Sequence, residues 1–257
     1  AGDYAADPGS AASVALMLQA ALFPLCFCEG RSRLTLRGGT DVPWSPPLDF
    51  VERVLAGALG RMGRELRVSA RRRGFYPKGG GEVVFEVEGS AEPLAPLRLV
   101  DPGEPRAIRG RLFGSRDLAA VRAALEGLAP EVEVEESRLP GSCAGLDLLL
   151  ETSSGALLHA GARGEDVAAC VREARDRLEA QALGGAAVDE HLADQLILPL
   201  SLAKGRSELL CAELSLHART ALDLAESVAG ARVSVEDAGG LQKVTIDGVG
   251  FAPGRPA

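Results

Sequence analysis

Residues 71–87 read RRRGFYPKGGGEVVFEV: three arginines, a Gly-Phe-Tyr-Pro-Lys stretch, three consecutive glycines and an apolar alternation. A loop that cradles phosphate in the Walker manner needs Gly-x4-Gly-Lys-Ser/Thr running into a helix. Here the glycines are contiguous, and Val83, Phe85 and Val87 recur at the two-residue spacing of a strand. A phosphate site at a helix N-terminus is therefore disfavoured. Gly79-Gly80-Gly81 reads instead as a tight connection between antiparallel strands, with glycine supplying positive φ.

The strands so joined are expected over 65–72 and 82–88. Before them, residues 46–62 open on Pro46-Pro47. Their apolar residues Phe50, Val51, Val54, Leu55, Ala58, Leu59 and Met62 follow helical spacing. Residues 31–37 alternate, with Leu34 and Leu36 on one face, and residues 10–28 carry a helical pattern for which Ser10 is the expected cap. The same order returns near the C-terminus: helix 187–203, strand 207–214, helix 217–229, strands 231–236 and 241–247. This is an internal duplication of a helix-strand-helix-strand-strand unit.

Between the copies, residues 89–105 are rich in Pro, Gly and acidic residues and mark a boundary. Residues 106–183 then read as a small α/β unit. Its strands are expected near 106–113, 131–137, 145–151 and 155–160, its helices at 115–128 and 164–182, and Gly184-Gly185 closes it. The expected fold is α/β (α+β): a large domain of repeated units (1–105 and 184–257) with a small α/β domain (106–183) inserted.

Composition bounds the function. The 257 residues are 46% hydrophobic and 25% charged, which is ordinary for a globular chain, with only 4% aromatic residues. A net charge of −8 argues against coating a polyanion but leaves room for a local basic patch. Arg31, Arg33, Arg37, Arg71, Arg72, Arg73 and Lys78 are concentrated in the first copy; a solvated face is their ordinary reading. Cys26, Cys28, Cys143, Cys170 and Cys211 form neither CxxC pairs nor an even set, so reduced cytoplasmic thiols are expected rather than zinc or disulfides. No apolar run is long enough to span a membrane. The chain opens on Ala1-Gly2-Asp3 without Met, which hints at a front segment outside these residues.

Three histidines could carry chemistry: His159, His191 and His217. His159 sits in an alternating strand and reads as a strand residue. His191, Asp194 and Gln195 stand at i, i+3, i+4, on one helix face able to read a base edge or to orient a catalytic group. A solvated polar face is the alternative. His217 opens a helix after a strand, at a sheet edge where ligands bind. Trp44, the single Trp, lies in the proline-rich loop RGGTDVPWSPP (37–47), a stiff surface suited to stacking a base, or a stiff loop without a ligand.

Taken together, RRRGFYPKGGGEV, RGGTDVPWSPPLDF and DEHLADQLILPLSLA resemble, in type and order, the signatures of the RNA 3′-terminal phosphate cyclase family, over nearly the whole chain. The resemblance implies repeated α/β units with a small insert. It also implies a reaction in which ATP adenylates a histidine, AMP passes to an RNA 3′-phosphate, and the 2′-OH closes a 2′,3′-cyclic phosphodiester, releasing AMP and diphosphate. By position the resemblance assigns the nucleophile to His217. It assigns ATP contacts to Gln19, Pro46, Phe50 and the run His191, Leu192, Ala193, Asp194 and Gln195, and it calls for a divalent metal, Mg or Mn. His191 stands where the family has Tyr, so an altered base contact is expected. Asp194 is expected to orient His217 or to bind the nucleotide. RNA 3′-phosphate ends are the implied partner, and association of identical chains is left open.

The family also opens with Glu-Gly-Gly-Gly-Gln…Arg and an Arg-rich Pro-Gly-Leu segment, neither of which occurs here. The family's metal-holding glutamate lies in that part, so the metal ligands of this chain are unassigned and its activity alone is expected to be impaired. Two rivals remain: a non-catalytic cyclase-like scaffold of ribosome assembly, which would lack the histidine, and an enolpyruvyl transferase, which would use Lys and Arg clusters in place of HLADQ and a lone His.

Overall fold

The computed structural model describes residues 1–113, 121, 123–126, 132–137, 144–164 and 166–254. Its first repeat runs β1 (Gly2–Ala6), α1 (Val14–Cys26), β2 (Gly30–Gly38), a π-helical turn (Phe50–Leu55) continuing as α2 (Ala56–Arg61), β3 (Glu65–Arg72) and β4 (Gly81–Gly89). The sheet order is β1-β2-β4-β3, with β1 parallel to β2 and the other pairs antiparallel.

β5 (Arg98–Leu99) opens a second sheet, and the chain then leaves it for the insert: β6 (Pro105–Phe113), β7 (Val132–Ser137), β8 (Ala144–Thr152), β9 (Leu157–Gly164) and α3 (Val167–Gly184). It returns as α4 (Glu190–Leu202), β10 (Lys204–Cys211), α5 (Leu216–Ser227), β11 (Arg232–Asp237) and β12 (Gln242–Val249). The second sheet is ordered β11-β12-β10-β5, with β5 parallel to β10. The two sheets thus share one topology: the last strand sits between the two before it, and a parallel strand flanks the first. Mixed α/β architecture built on a duplicated unit is what the periodicity predicts. The insert has its own sheet, β7-β6-β8-β9.

Several boundaries differ from the sequence reading, each for a local reason. Ser13, not Ser10, caps α1: its hydroxyl accepts from the Leu16 amide at 3.2 Å, while Ser10 turns back on Ala12. The helix expected from residue 46 becomes regular only beyond Pro46-Pro47, because a residue preceding proline avoids helical torsions. The strand expected over 207–214 is Lys204–Cys211, since Ala212–Leu214 leave the sheet for the approach to α5. The helix expected at 115–128 falls mostly outside the described residues.

One core joins the helices of both repeats. α1 contributes Val14, Ala15, Leu18, Leu22 and Cys26, a stripe at helical spacing, and α4 contributes Leu192, Ala193, Leu196, Ile197 and Leu200. The fully buried Phe50 and Phe85 each add roughly 1.5–3 kcal/mol of burial. A second core, with Ile108, Leu112, Leu146, Leu148, Val171 and Leu178, lies inside the insert.

The glycine run connects β3 to β4. Gly79 (φ 65°) and Gly80 (φ 74°) adopt left-handed torsions, and the Gly79 amide donates to the Phe75 carbonyl at 2.7 Å. A Cβ on Gly74 would stand 2.2 Å from the Gly81 amide and 2.5 Å from the Gly38 carbonyl oxygen. Gly79 and Gly80 therefore supply the positive φ read from the sequence, and Gly74 adds a close backbone approach that the sequence reading did not include.

Candidate active site

The RGF and GGTD segments are two halves of one buried lock. The Arg73 guanidinium, 1% exposed, donates to both oxygens of Asp41 (3.1 and 3.0 Å) and to Asp49. The Thr40 hydroxyl donates to Asp41 at 2.7 Å and accepts from the Gly74 amide at 3.1 Å. From the insert, Arg111 donates to Asp49 and, at 3.0 Å, to Glu52. His159 Nε2 meets Asp147 Oδ1 at 3.1 Å, and its backbone amide donates to Asp189 Oδ2 at 3.5 Å. Asp189 Oδ1 caps α4 through the amides of His191 (3.0 Å) and Leu192 (2.8 Å). The first repeat, the insert and α4 thus meet in one polar cluster. Burial, then the neighbouring Asp147 charge, pushes the Asp49 carboxyl up to about 7, against the lowering pull of Arg73 and Arg111. Burial also raises Asp189.

Beside this cluster opens a cavity of about 600 Å³. Its walls are the 41–47 loop (Asp41, Val42, Ser45, Pro47), the insert (His159–Gly161, Arg177, Gln181), the start of α4 (Asp189–His191) and the approach to α5 (Ala212, Glu213). Of the residues assigned to ATP, His191 lines this cavity. Pro46 does not, and its neighbour Pro47 does. Phe50 lies behind the wall, buried, its ring packed edge-on at 5.8 Å from His159. Leu192 and Ala193 point into the core, because residues one and two past His191 turn away from the face it occupies.

The other assigned residues meet next to it. Gln19 Nε2 donates to the side-chain oxygen Oε1 of Gln195, and Gln195 Nε2 donates to Asp194 Oδ1 at 2.9 Å. Asp194 Oδ2 accepts from the Ser215 hydroxyl at 3.4 Å, and Ser215 in turn caps α5 through the Ala218 amide at 3.0 Å. Asp194 is raised by burial. The Gln195 hydrogen bond, the His191 and His217 charges and the Ser215 hydrogen bond all oppose that rise. His217 is exposed in the first turn of α5, within electrostatic reach of Asp194. Side chains from α1, α4 and α5 therefore converge, and the arrangement can hold an imidazole beside a carboxylate at a helix N-terminus, a setting for an anionic adduct.

Ser215, Asp189, Asp147, Asp49, Arg111 and Glu52 were not singled out in the sequence. Ser215 and Asp189 carry a recoverable signal, since Ser or Asp directly before a helical run is a cap. The pairing of His159 with Asp147 carries none. Of the basic residues, Arg31 pairs with Glu86, and Arg37 and Arg71 pair with Glu82 across strands, which is the solvated-face reading.

Among the described residues, the three acidic side chains close enough to share a cation are Asp41, Asp49 and Asp147. They do not suit one: Arg73, Arg111 and His159 already occupy their oxygens, and Asp49 tends toward its neutral form. No helix among the described residues is long and apolar enough to cross a membrane.

Comparison with known proteins agrees with this layout. The family profile described as RNA 3′-terminal phosphate cyclase matches residues 1–235. An RNA 3′-terminal phosphate cyclase of Pyrobaculum neutrophilum is 34% identical, over 97% of this chain and 76% of its own length. The Methylococcus capsulatus protein of that name is 36% identical over 91% and 70%, and that of Caldivirga maquilingensis 35% over 99% and 77%. With the repeats, the insert and the three signature segments in place, the chain belongs to the RNA 3′-terminal phosphate cyclase family.

Proposed function

We propose that this chain converts an RNA 3′-terminal phosphate into a 2′,3′-cyclic phosphodiester at the expense of ATP, through AMP held covalently on His217. The imidazole of His217 attacks the α-phosphorus of ATP; a P–N bond forms, the bond to the β-phosphate oxygen breaks, and diphosphate leaves. An oxygen of the RNA 3′-phosphate then attacks the same phosphorus, and the imidazole departs. The neighbouring 2′-OH attacks the activated 3′-phosphate, gives its proton to solvent or a nearby base, and expels AMP. One difficult displacement becomes three easier ones.

The observation that carries this reading is the carboxylate of Asp194, held by Gln195 and by Ser215, the cap of the helix whose first turn bears His217, and close enough to feel the His217 charge. Its charge favours the imidazolium that forms when His217 is nucleotidylated. Gln19 fixes Gln195 from the other repeat. The adenine is placed in the cavity that His191 and Pro47 line, and an imidazole in place of a phenol ring there gives a smaller stacking surface. A divalent cation would neutralise the triphosphate; no ligand for it is assigned, and no step here runs through the Asp41–Asp49–Asp147 set. The proposed setting is the cytoplasm, in keeping with the free thiols of Cys26, Cys28, Cys170 and Cys211.

The test is incubation with ATP labelled at the α-phosphate. Label should attach to the protein in an acid-labile, alkali-stable form and be absent from His217→Asn. Label that persists on His217→Asn overturns the assignment.

A further inference from the structure

Trp44 is 99% exposed, and its backbone holds φ at 59°, a left-handed conformation that a bulky L-residue rarely adopts. The loop around it is fixed at both ends. Asp41 is clamped by Arg73 on one side, Leu48 is fully buried on the other, and the Ser45 hydroxyl donates to the Val42 carbonyl at 3.3 Å beneath it. The ring gains no burial in the free protein, and glycine or asparagine would suit this torsion better. The loop thus displays an indole on a rigid support. Val42 and Ser45, on either side of it, line the cavity beside His191.

A second ring stands on the adjoining loop. Phe75 is buried and bridges to Asp41, so the 41–47 and 74–79 loops run side by side. Tyr76, the next residue, is 68% exposed. Two exposed cations, Arg72 and Lys78, flank it; the Arg72 Nε is tied to the Gly80 carbonyl. In a chain of net charge −8, this is a local meeting of flat rings and positive charge. Such a mixture grips single-stranded nucleic acid, because bases stack on rings and phosphates meet the cations.

We infer that Trp44 and Tyr76 form a stacking platform for the unpaired bases just upstream of the RNA 3′ end, with Arg72 and Lys78 meeting the intervening phosphates. The inference rests on the proposed RNA substrate. The cavity bordered by His191 opens beside Val42 and Ser45, so an RNA strand reaching it from this side would pass the exposed rings, which can hold bases without reading their sequence. The residues that hold the nucleotide inside the cavity are different ones.

Trp44 is the single Trp of the chain, so its fluorescence reports on this ring alone. Three probes separate the sources of a base: an unstructured 3′-phosphorylated RNA hexamer, the same hexamer abasic upstream of its terminal nucleotide, and ATP with Mg. The hexamer should quench the indole, and the abasic hexamer and ATP should leave it unchanged. Trp44→Ala should bind the end-labelled hexamer roughly five- to hundredfold more weakly by anisotropy and still accept label from ATP. Trp44→Phe should recover most of the loss. Trp44→Gly, which frees the backbone as well, should behave like Trp44→Ala, which separates stacking from loop strain. Native affinity in Trp44→Ala, quenching by ATP alone, or equal quenching by the abasic strand overturns the platform. Absence of label on native His217, with hexamer quenching intact, overturns the catalytic reading and leaves the platform standing.

Discussion

Gln19 and Gln195 occupy the same place in the two repeats, each six residues past its helix cap, Ser13 or Asp189, and their side-chain amides are hydrogen-bonded to each other. The duplication thus delivers two equivalent amides to one point, and the second passes the contact on to Asp194.

That relay predicts a graded loss of activity. Asp194→Ala removes the carboxylate proposed to assist His217, and the rate of label transfer from ATP should fall by roughly a hundredfold. Gln19→Ala acts one contact further away and should cost less. In both, the apparent KM for ATP should change little, because neither residue lines the cavity proposed for the adenine. A Gln19→Ala variant slower than Asp194→Ala would break the proposed order of contacts.

Equivalent glycines predict equivalent damage. A Cβ on Gly89 would lie 2.1 Å from the Cys28 carbonyl oxygen and 2.3 Å from that of Leu25; on Gly248 it would lie 2.4 Å from those of Ala203 and Leu200. In each repeat the last strand passes against the end of the first helix, and backbone cannot yield as a flexible side chain does. Gly89→Ala and Gly248→Ala should each destabilise the fold by about 1–3 kcal/mol. That corresponds to several degrees in thermal midpoint at this chain length. Scanning calorimetry decides it, and an unchanged midpoint in either would contradict the close approach.

The buried guanidinium of Arg73 should be intolerant of neutral replacement. Arg73→Met leaves Asp41 and Asp49 buried without their main counter-charge, a change that costs about 3–5 kcal/mol. Arg73→Lys keeps the charge but loses the fork that serves two carboxylates, so it should fall between native and Met. Urea unfolding would rank the three.

Asp49 predicts the pH dependence of stability. Unfolded, its carboxyl loses its proton near pH 4; folded, it keeps it up to about 7. Between those values the folded state binds more protons, so stability falls as pH rises from about 4 to about 7 and levels off beyond. Asp189 and Asp194 are shifted in the same direction and contribute to the slope. Asp49→Asn should be weaker than native at every pH but flatter across this window. Urea midpoints at pH 5, 6, 7 and 8 measure it; an equally steep variant would assign the slope elsewhere.

The repeats were legible because each rests on amphipathic periodicity over eight or more residues, as in α4 or β4. β5 was not, because two residues carry no period. Within HLADQ, helical geometry separates the outward residues His191, Asp194 and Gln195 from the inward Leu192 and Ala193, a distinction that transfer of a whole motif overlooks. The meeting of Asp194 with Ser215 depends on how α4 and α5 pack. The lock around Arg73 joins residues 24 and 32 positions away, and Arg111 reaches Asp49 across 62. No local pattern records such partners.

Asp189 holds the first turn of α4 with one oxygen and the insert's backbone at His159 with the other. The insert is therefore not merely appended to the repeats. A swing of that domain would pull directly on the turn that carries His191, so the insert and this wall of the cavity share a single carboxylate as their mechanical linkage.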